Sequence, residues 1–272
     1  MTVDLTQLTG LPVTLHDDGR LTFAPDVEVQ DAGVRLVRAL CRVAYDEAAC
    51  EAASEDRPAY FMYNGVARQA DKARITNWGL RYELTSIPAG CIGPECMKTL
   101  GHRHKLMPGK AMRDAEVCEV VHGTAHFLFE FPGERRGETP LVYYVEAGPG
   151  DKVLFPPDTL HCTINPGAEP VVFTDVVVQG LSGEYADFQA TQGASYIELC
   201  QEGQAPCFIP NPRYRSLPPL RRVAARDWPE QGITKSVPLY TAFLEHGPAW
   251  AFLKDPELFW PTFAELRGAI GL

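Results

Sequence analysis

Four potential metal ligands come in a fixed order along this chain: His102 and His104 inside Gly101-His102-Arg103-His104, then Glu116, then His161. Three imidazoles with one carboxylate are a donor set that a catalytic divalent metal takes when it keeps coordination positions open for a substrate. Their spacing constrains the fold. His102 and His104 are two positions apart, so both point to one side of a β-strand, where side-chain direction alternates with a period of two. Glu116 lies in Ala115-Glu116-Val117-Cys118-Glu119-Val120-Val121-His122-Gly123, which reads as a second strand closed by a turn that needs a permissive backbone. His161 follows a turn at Gly150-Asp151, the apolar run Lys152-Val153-Leu154-Phe155 and a corner broken by Pro156 and Pro157. It then opens a strand that runs to Asn165.

Around these motifs the pattern is one of many short strands. From Ala59 to about Val178, runs such as Tyr60-Phe61-Met62-Tyr63, Leu80-Arg81-Tyr82-Glu83-Leu84-Thr85, Ala125-His126-Phe127-Leu128-Phe129-Glu130 and Val171-Val172-Phe173-Thr174-Asp175-Val176 are broken by Gly and Pro. That predicts a β-sandwich or barrel of the jelly-roll type. Upstream, Val34, Val37, Cys41 and Ala44 recur at helical spacing with Arg35, Arg38 and Arg42 between them, and the pattern fades into Glu55-Asp56-Arg57-Pro58, so a helix or two is expected before the barrel. Ser216-Leu217-Pro218-Pro219-Leu220 reads as a linker, and Val237 to Leu272 as short helices covering the barrel or a subunit interface. The expected organisation is therefore a helical and β lead-in over residues 1–58, a barrel over 59–215 and a helical extension over 216–272.

Composition narrows the function classes. A chain of 272 residues, 45% of them hydrophobic, can bury a sizeable core, and no apolar run reaches membrane-spanning length, so no membrane partner is expected. The start Met1-Thr2-Val3-Asp4 lacks a basic and apolar signal region, so a cytoplasmic location is expected. The eight cysteines include no Cys-x-x-Cys pair, which predicts reduced thiols. Cys118 and Cys162 lie close to ligands and are expected to be buried as small hydrophobes. A net charge of -10 argues against a nucleic-acid partner. An anionic small molecule needs local positive charge, for which Lys98, Arg103, Lys105, Lys110 and Arg113 form a candidate patch.

The paired motifs resemble those of the cupin superfamily. The first, a Gly, a His-x-His, a Glu and a closing Gly, is matched at Gly101, His102, His104, Glu116 and Gly123; the second, a Gly, a Pro, a His and an Asn, at Gly150, Pro156, His161 and Asn165. Asp158 stands where a Gly is usual. The gap between His104 and Glu116 is long, and Lys105 to Ala115, with Pro108 and Gly109, is read as a loop at the barrel mouth. Glu119 lies an odd number of positions from Glu116, faces the other side of its strand and is left out of the ligand set. His122 and His126 share the parity of Glu116 and are read as turn or surface histidines, with a supporting or substrate role as the alternative.

A narrower resemblance follows from Ile92-Gly93-Pro94-Glu95-Cys96-Met97-Lys98-Thr99-Leu100-Gly101-His102-Arg103-His104. It is similar to the signature of the cupin-type glucose-6-phosphate isomerases, a Gly-x-Glu, a Thr and a Gly-His-x-His in that order. Pro58-Ala59-Tyr60, Gly193-Ala194-Ser195-Tyr196 and Asn211-Pro212-Arg213-Tyr214 also fall in the family's order. The resemblance covers roughly residues 15–215 and implies a mainly β chain with a cupin jelly-roll β-barrel and an N-terminal helix, assembled as a homodimer; the C-terminal helical extension from Ser216 onward lies outside the family pattern. It further implies metal-dependent aldose–ketose isomerisation of a sugar phosphate, glucose 6-phosphate to fructose 6-phosphate, in glycolysis and gluconeogenesis. His102, His104, Glu116 and His161 take the ligand positions for Fe, Mn, Ni, Co or Zn. An open divalent cation binds the sugar's O1 and O2 and stabilises enediolate charge as C2 loses its proton.

Glu116 is the candidate base, being the only carboxylate the motif places at the reacting carbons. Because a metal-bound carboxylate is a weak base, a hydride shift is the alternative. The family's head-group positions fall on Tyr60, Thr99 and Gly101, with Thr85 or Ser86 adding a hydroxyl. Where the family has tyrosines this chain has Cys118, Asp158 and Val177. These changes leave the ligand set whole and alter the pocket, so a sulfonated or other phosphorylated hexose is an alternative substrate. An Fe(II) dioxygenase and a non-catalytic sugar or metal sensor are the remaining classes; no basic helix-turn-helix pattern accompanies the latter in residues 1–55 or 216–272.

Overall fold

Six antiparallel strands form one wall, in the order Lys152–Phe155, Glu116–His122, Val171–Val178, Leu80–Ile87, Pro58–Arg68 and Val27–Leu36. The computed structural model that shows them describes residues 2–53, 56–201 and 203–259. The central strands read as nearly continuous apolar runs because both faces of this sheet are covered. On the inner face Cys118, Val120 and Phe173 pack with Phe127, Phe129 and Phe155. On the outer face Tyr82, Val117, Val121, Val172 and Val176 pack with Leu11 and Val13 from the N-terminus and with Leu239, Phe243 and Trp250 from the C-terminal region.

The opposite wall runs Cys207–Pro210, Tyr196–Leu199, Glu95–Lys98, Leu160–Asn165, Ala125–Phe131, Leu141–Ala147 and Arg221–Ala224. His102–His104 lies between Leu160–Asn165 and Gly183–Glu184 in the same sheet. Two curled sheets with a shared apolar interior make the mainly β jelly roll that the strand pattern predicts. Asn165, from the second motif, ties the walls together: its Nδ2 donates to the carbonyls of Ile87 (3.0 Å) and Glu169 (2.9 Å), and its Oδ1 accepts from Gly167 N at 3.0 Å. Among the described residues no helix is long and apolar enough to cross a membrane.

The structure corrects three expectations. Of the helices expected before the barrel, the run Val34–Ala44 is a strand as far as Leu36 and a 3-10 helix over Val37–Val43, and an α-helix follows at Glu47–Ala52. Val37, Cys41 and Ala44 of the apolar spacing are buried but Val34 is exposed, and pairing with Pro58–Arg68, which sets Arg35 opposite Tyr60, takes the first three residues of the run into the sheet. The wall therefore draws in residues upstream of position 59. Next, the expected helical extension contains a strand, since Arg221–Ala224 pairs in parallel with Leu141–Ala147. Downstream, Leu239–His246 is α-helical and Gly247–Leu253 and Pro256–Phe259 are 3-10 turns; the part expected over residues 260–272 lies outside the described residues.

The third correction concerns the cysteines. Four of them form the disulfides Cys41–Cys50 and Cys91–Cys200 rather than remaining reduced. Local spacing carries no mark of the second pair, 109 residues apart. The sheet creates it, because Cys91 pairs with Cys96 in the strand that meets Tyr196–Leu199. Cys118 and Cys162 are free and buried, as expected.

Candidate active site

The three-residue strand His102–His104 sets His102 opposite His161 in register. Gly101, just before it, has φ +73°, and a Cβ there would stand 2.6 Å from Phe188 Cε2, so only a residue without a side chain fits that turn. From the facing wall, Glu116 opens its strand opposite Phe155. The corner that delivers His161 holds Asp158 at φ +63°. Asp tolerates that left-handed conformation better than most residues, and its Oδ1 is held by Arg113 N (3.3 Å) and Arg113 Nη1 (3.1 Å). This explains how the motif works without its usual Gly.

The four side chains meet. Ring centroids lie 4.6 Å apart for His102 and His161, 5.0 Å for His104 and His161 and 5.5 Å for His102 and His104. One nitrogen from each imidazole falls within 4.8 Å of the others. His104 Nε2 lies 3.1 Å from Glu116 Oε2. The other nitrogen, Nδ1, is 2.8 Å from the carbonyl of Asp114 in the long loop. A carbonyl only accepts, so Nδ1 carries a proton and Nε2 is turned toward the cluster.

Burial pushes His102 down to about 4. It pushes His161 well below the usual imidazole value, with His102 and His104 adding to the effect. Both rings are therefore held neutral, the form that binds metal. Burial also opposes charge on His104, but the Glu116 hydrogen bond outweighs it and raises His104. For Glu116, burial pushes upward, and His104 overcomes it to hold the carboxyl below its usual value. Neither ring nitrogen of buried His161 has a hydrogen-bond partner. Orphaned polar atoms inside a cluster of donors are what a metal would satisfy, so these four residues fit a divalent cation.

A cavity of about 310 Å³ opens onto His102, Glu116 and His161, with His104 behind them, and it also takes in Tyr60, Thr85, Thr99 and Gly101. Thr85 rather than Ser86 faces it. Thr99 Oγ1 accepts from Thr163 N at 3.0 Å, which leaves its own proton to donate. The expected basic patch does not reach this space. Lys98 is buried against Glu95 and donates to the Val43 carbonyl at 2.8 Å, Arg103 pairs with Asp187 at 3.1 Å, Lys110 with Asp114 at 3.1 Å and Arg113 with Asp158 and Glu184. Lys105 is exposed. These cations hold loops in place. Glu119 faces the outer side and accepts from Lys152 Nζ at 2.7 Å; His122 contacts the Pro170 carbonyl and His126 the Glu198 carboxylate.

Four charged residues in the cavity wall escaped the sequence reading: Arg35, Arg81, Glu83 and Asp175. Arg35 forms no ion pair among the described residues, its buried Nε is without a hydrogen-bond partner, and its charge bears on Tyr60 and His102. Arg81 is paired with Glu83. Burial raises Glu83 to about 7 despite Arg81, and it raises Asp175 well above the carboxylate range, with Glu83 and Glu116 adding to it. Asp175 did carry a signal, a lone acid in the otherwise uncharged strand Val171–Val178. Arg35 was hidden by the helical reading of its run.

Comparison with known proteins agrees with this geometry. A family model described as glucose-6-phosphate isomerase matches residues 34–211. The glucose-6-phosphate isomerase of Thermococcus kodakarensis is 28% identical over 170 residues, 62% of this chain and 80% of that protein. Those of Pyrococcus horikoshii and Pyrococcus abyssi are 30% identical over 139 and 138 residues, 50% of this chain and 66% of theirs. The matched stretch contains the whole imidazole and carboxylate cluster and every cavity residue from Arg35 to Tyr185, and the chain belongs to the cupin-type glucose-6-phosphate isomerase family.

Proposed function

We propose that the chain is a metal-dependent aldose–ketose isomerase that interconverts glucose 6-phosphate and fructose 6-phosphate. One observation carries the reading: a single cavity joins a cluster of three imidazoles and a carboxylate to an unpaired guanidinium and several hydroxyls. His102, His104, Glu116 and His161 would hold Fe, Mn, Ni, Co or Zn, which supplies Lewis acidity at the sugar's O1 and O2. Arg35, Tyr60, Thr85, Thr99 and the N–H of Gly101 form the anionic end, where the guanidinium adds charge-assisted hydrogen bonds to those of the neutral donors. Phe155, Phe173 and Val177 line the space between and exclude water.

Isomerisation moves one hydrogen from C2 to C1 and one proton from O2 to O1, with no net change in composition. Glu116 takes it as a proton and returns it to the neighbouring carbon. The lowered basicity of Glu116 favours a second route, direct transfer of the hydrogen as hydride. A guanidinium with hydroxyls binds any tetrahedral oxyanion, and Cys118 and Val177 stand where the family carries tyrosines, so a sulfonated hexose is the second substrate reading. The test is proton NMR in D2O of the protein loaded anaerobically with Fe(II) or Mn(II), given glucose 6-phosphate, fructose 6-phosphate and mannose 6-phosphate, then sulfonated hexoses. Interconversion that EDTA stops is the expected result. Deuterium at C2 favours the enediolate route over the hydride shift. Metal-loaded protein that turns over none of these sugars overturns the reading.

A further inference from the structure

A second group of donors adjoins the imidazole cluster. Glu116, Cys118 and Asp175, all buried, each offer one ligand atom within 4.8 Å of the others. Glu116 and Cys118 share one face of their strand, and Asp175 is the register partner of Cys118 on the next. Glu116 turns its two oxygens to different neighbours: Oε2 lies 3.1 Å from His104 Nε2, and Oε1 accepts from Cys118 Sγ at 2.9 Å. The one carboxylate thus belongs to both groups. Asp175 is only 5% exposed, lines the cavity and leaves its Oδ1 without a hydrogen-bond partner. Glu83, its register partner on the other side, brings a third carboxylate, against which the wall sets Arg81. A buried carboxyl oxygen with nothing to bond is costly, and a cation would satisfy it.

We propose that Glu116, Cys118 and Asp175 form a second divalent-cation site beside the imidazole site, with Glu116 bridging the two. Donors about 2.0–2.3 Å from one cation lie up to about 4.6 Å apart, and the three donor atoms here all fall within 4.8 Å of one another. A thiolate with two carboxylates suits Zn or Co better than Mg or Ca. On binding, the cation replaces the Cys118 thiol proton, which leaves to solvent, and nothing is oxidised or reduced. Cations that share a carboxylate sit about 3.5–4 Å apart and can hold two neighbouring oxygens of one substrate. The inference rests on the isomerase reading through Glu116 and the imidazole-bound cation alone.

Anaerobic titration of metal-free protein with Co(II) tests it. Two equivalents are expected, the second bringing a thiolate-to-cobalt charge-transfer band that an imidazole site lacks. Cys118→Ser should keep the first equivalent and lose the band. Asp175→Asn should weaken the second equivalent by at least about tenfold, the least that losing even a supporting partner costs, and leave the first unchanged. Cys96→Ser and Cys162→Ser should keep the band. Binding of a single equivalent, or a band that survives in Cys118→Ser, overturns the second site. Failure of the isomerase reading looks different: both equivalents bind and no hexose is turned over, which leaves the second site standing.

Discussion

Arg35 sits in the cavity wall with its charge bearing on Tyr60 and His102, and it forms no ion pair among the described residues. A hydrogen bond to a charged group contributes about 1.5–3 kcal/mol. Arg35→Met keeps the apolar stem and removes the guanidinium, so KM for the phosphorylated sugar should rise about 10- to 100-fold while kcat changes little. That pattern marks binding shared by ground and transition states, and steady-state kinetics would show it; an unchanged KM would remove Arg35 from the anionic end. His126 gives the contrasting case. Its Nδ1 lies 2.8 Å from Glu198 Oε1 and its ring stacks on Phe208, away from the cavity. His126→Ala should leave most turnover intact and lower stability by about 1–3 kcal/mol, because a buried carboxylate loses its partner; urea unfolding beside an activity assay separates the two effects.

The strand Gly183–Glu184 shows how an element without any donor shapes the centre. Gly183 pairs with His104, and a Cβ there would stand 2.7 Å from His102 Cδ2 and 2.9 Å from His102 Cγ. Its backbone is outside the left-handed region, so alanine strains the chain little and the His102 ring must yield instead. Gly183→Ala should therefore weaken metal affinity about 10- to 100-fold, the scale seen when a ligand loses its support, with the melting temperature nearly unchanged. Metal titration and thermal unfolding check it, and unaltered affinity would show that the ring has room. The ligand strands were legible in the sequence because donor chemistry survives in one-dimensional spacing: period two at His102 and His104, and the turn residues flanking Glu116 and His161. Arg35 was not legible, since apolar spacing over Val34–Ala44 carries no mark of the strand partner that decides between helix and sheet. Asp175 needed the sheet for the same reason, as only its register with Cys118 and Glu83 gives it company. The basic patch failed differently, because sequence counts charges without showing that Asp158, Glu184 and Asp187 fold back to meet them.

Long-range ties decide how the whole chain responds to solvent. The Cys91–Cys200 bridge closes 109 residues, and a loop of that size restricts the unfolded chain by up to about 5 kcal/mol. Cys200→Ser should lower stability by about 2–5 kcal/mol, and a reductant should cost the wild type more than the variant, which has only Cys41–Cys50 left to lose. Glu130 makes a second tie, joining the strand Ala125–Phe131 to Ser195 N and the Tyr214 hydroxyl, both of which donate to its carboxylate. Burial raises its pKa from 4.5 to about 7. Between those two values the folded chain keeps a proton that the unfolded chain has released, so folding binds the extra proton and stability falls as pH rises. The contribution is complete below 4.5 and gone above about 7, and at about 1.4 kcal/mol per pH unit it amounts to roughly 3 kcal/mol. The imidazoles of a metal-free centre act with the opposite sign, because His102 stays neutral in the fold down to about 4. Comparing wild type with Glu130→Gln cancels that term, since both proteins carry the same histidines. The stability difference between them, from urea unfolding at about pH 5, 6 and 7, should shift steadily against the wild type as pH rises. A difference that stays flat would mean that Glu130 is already ionised in the folded chain and that its two donors outweigh its burial.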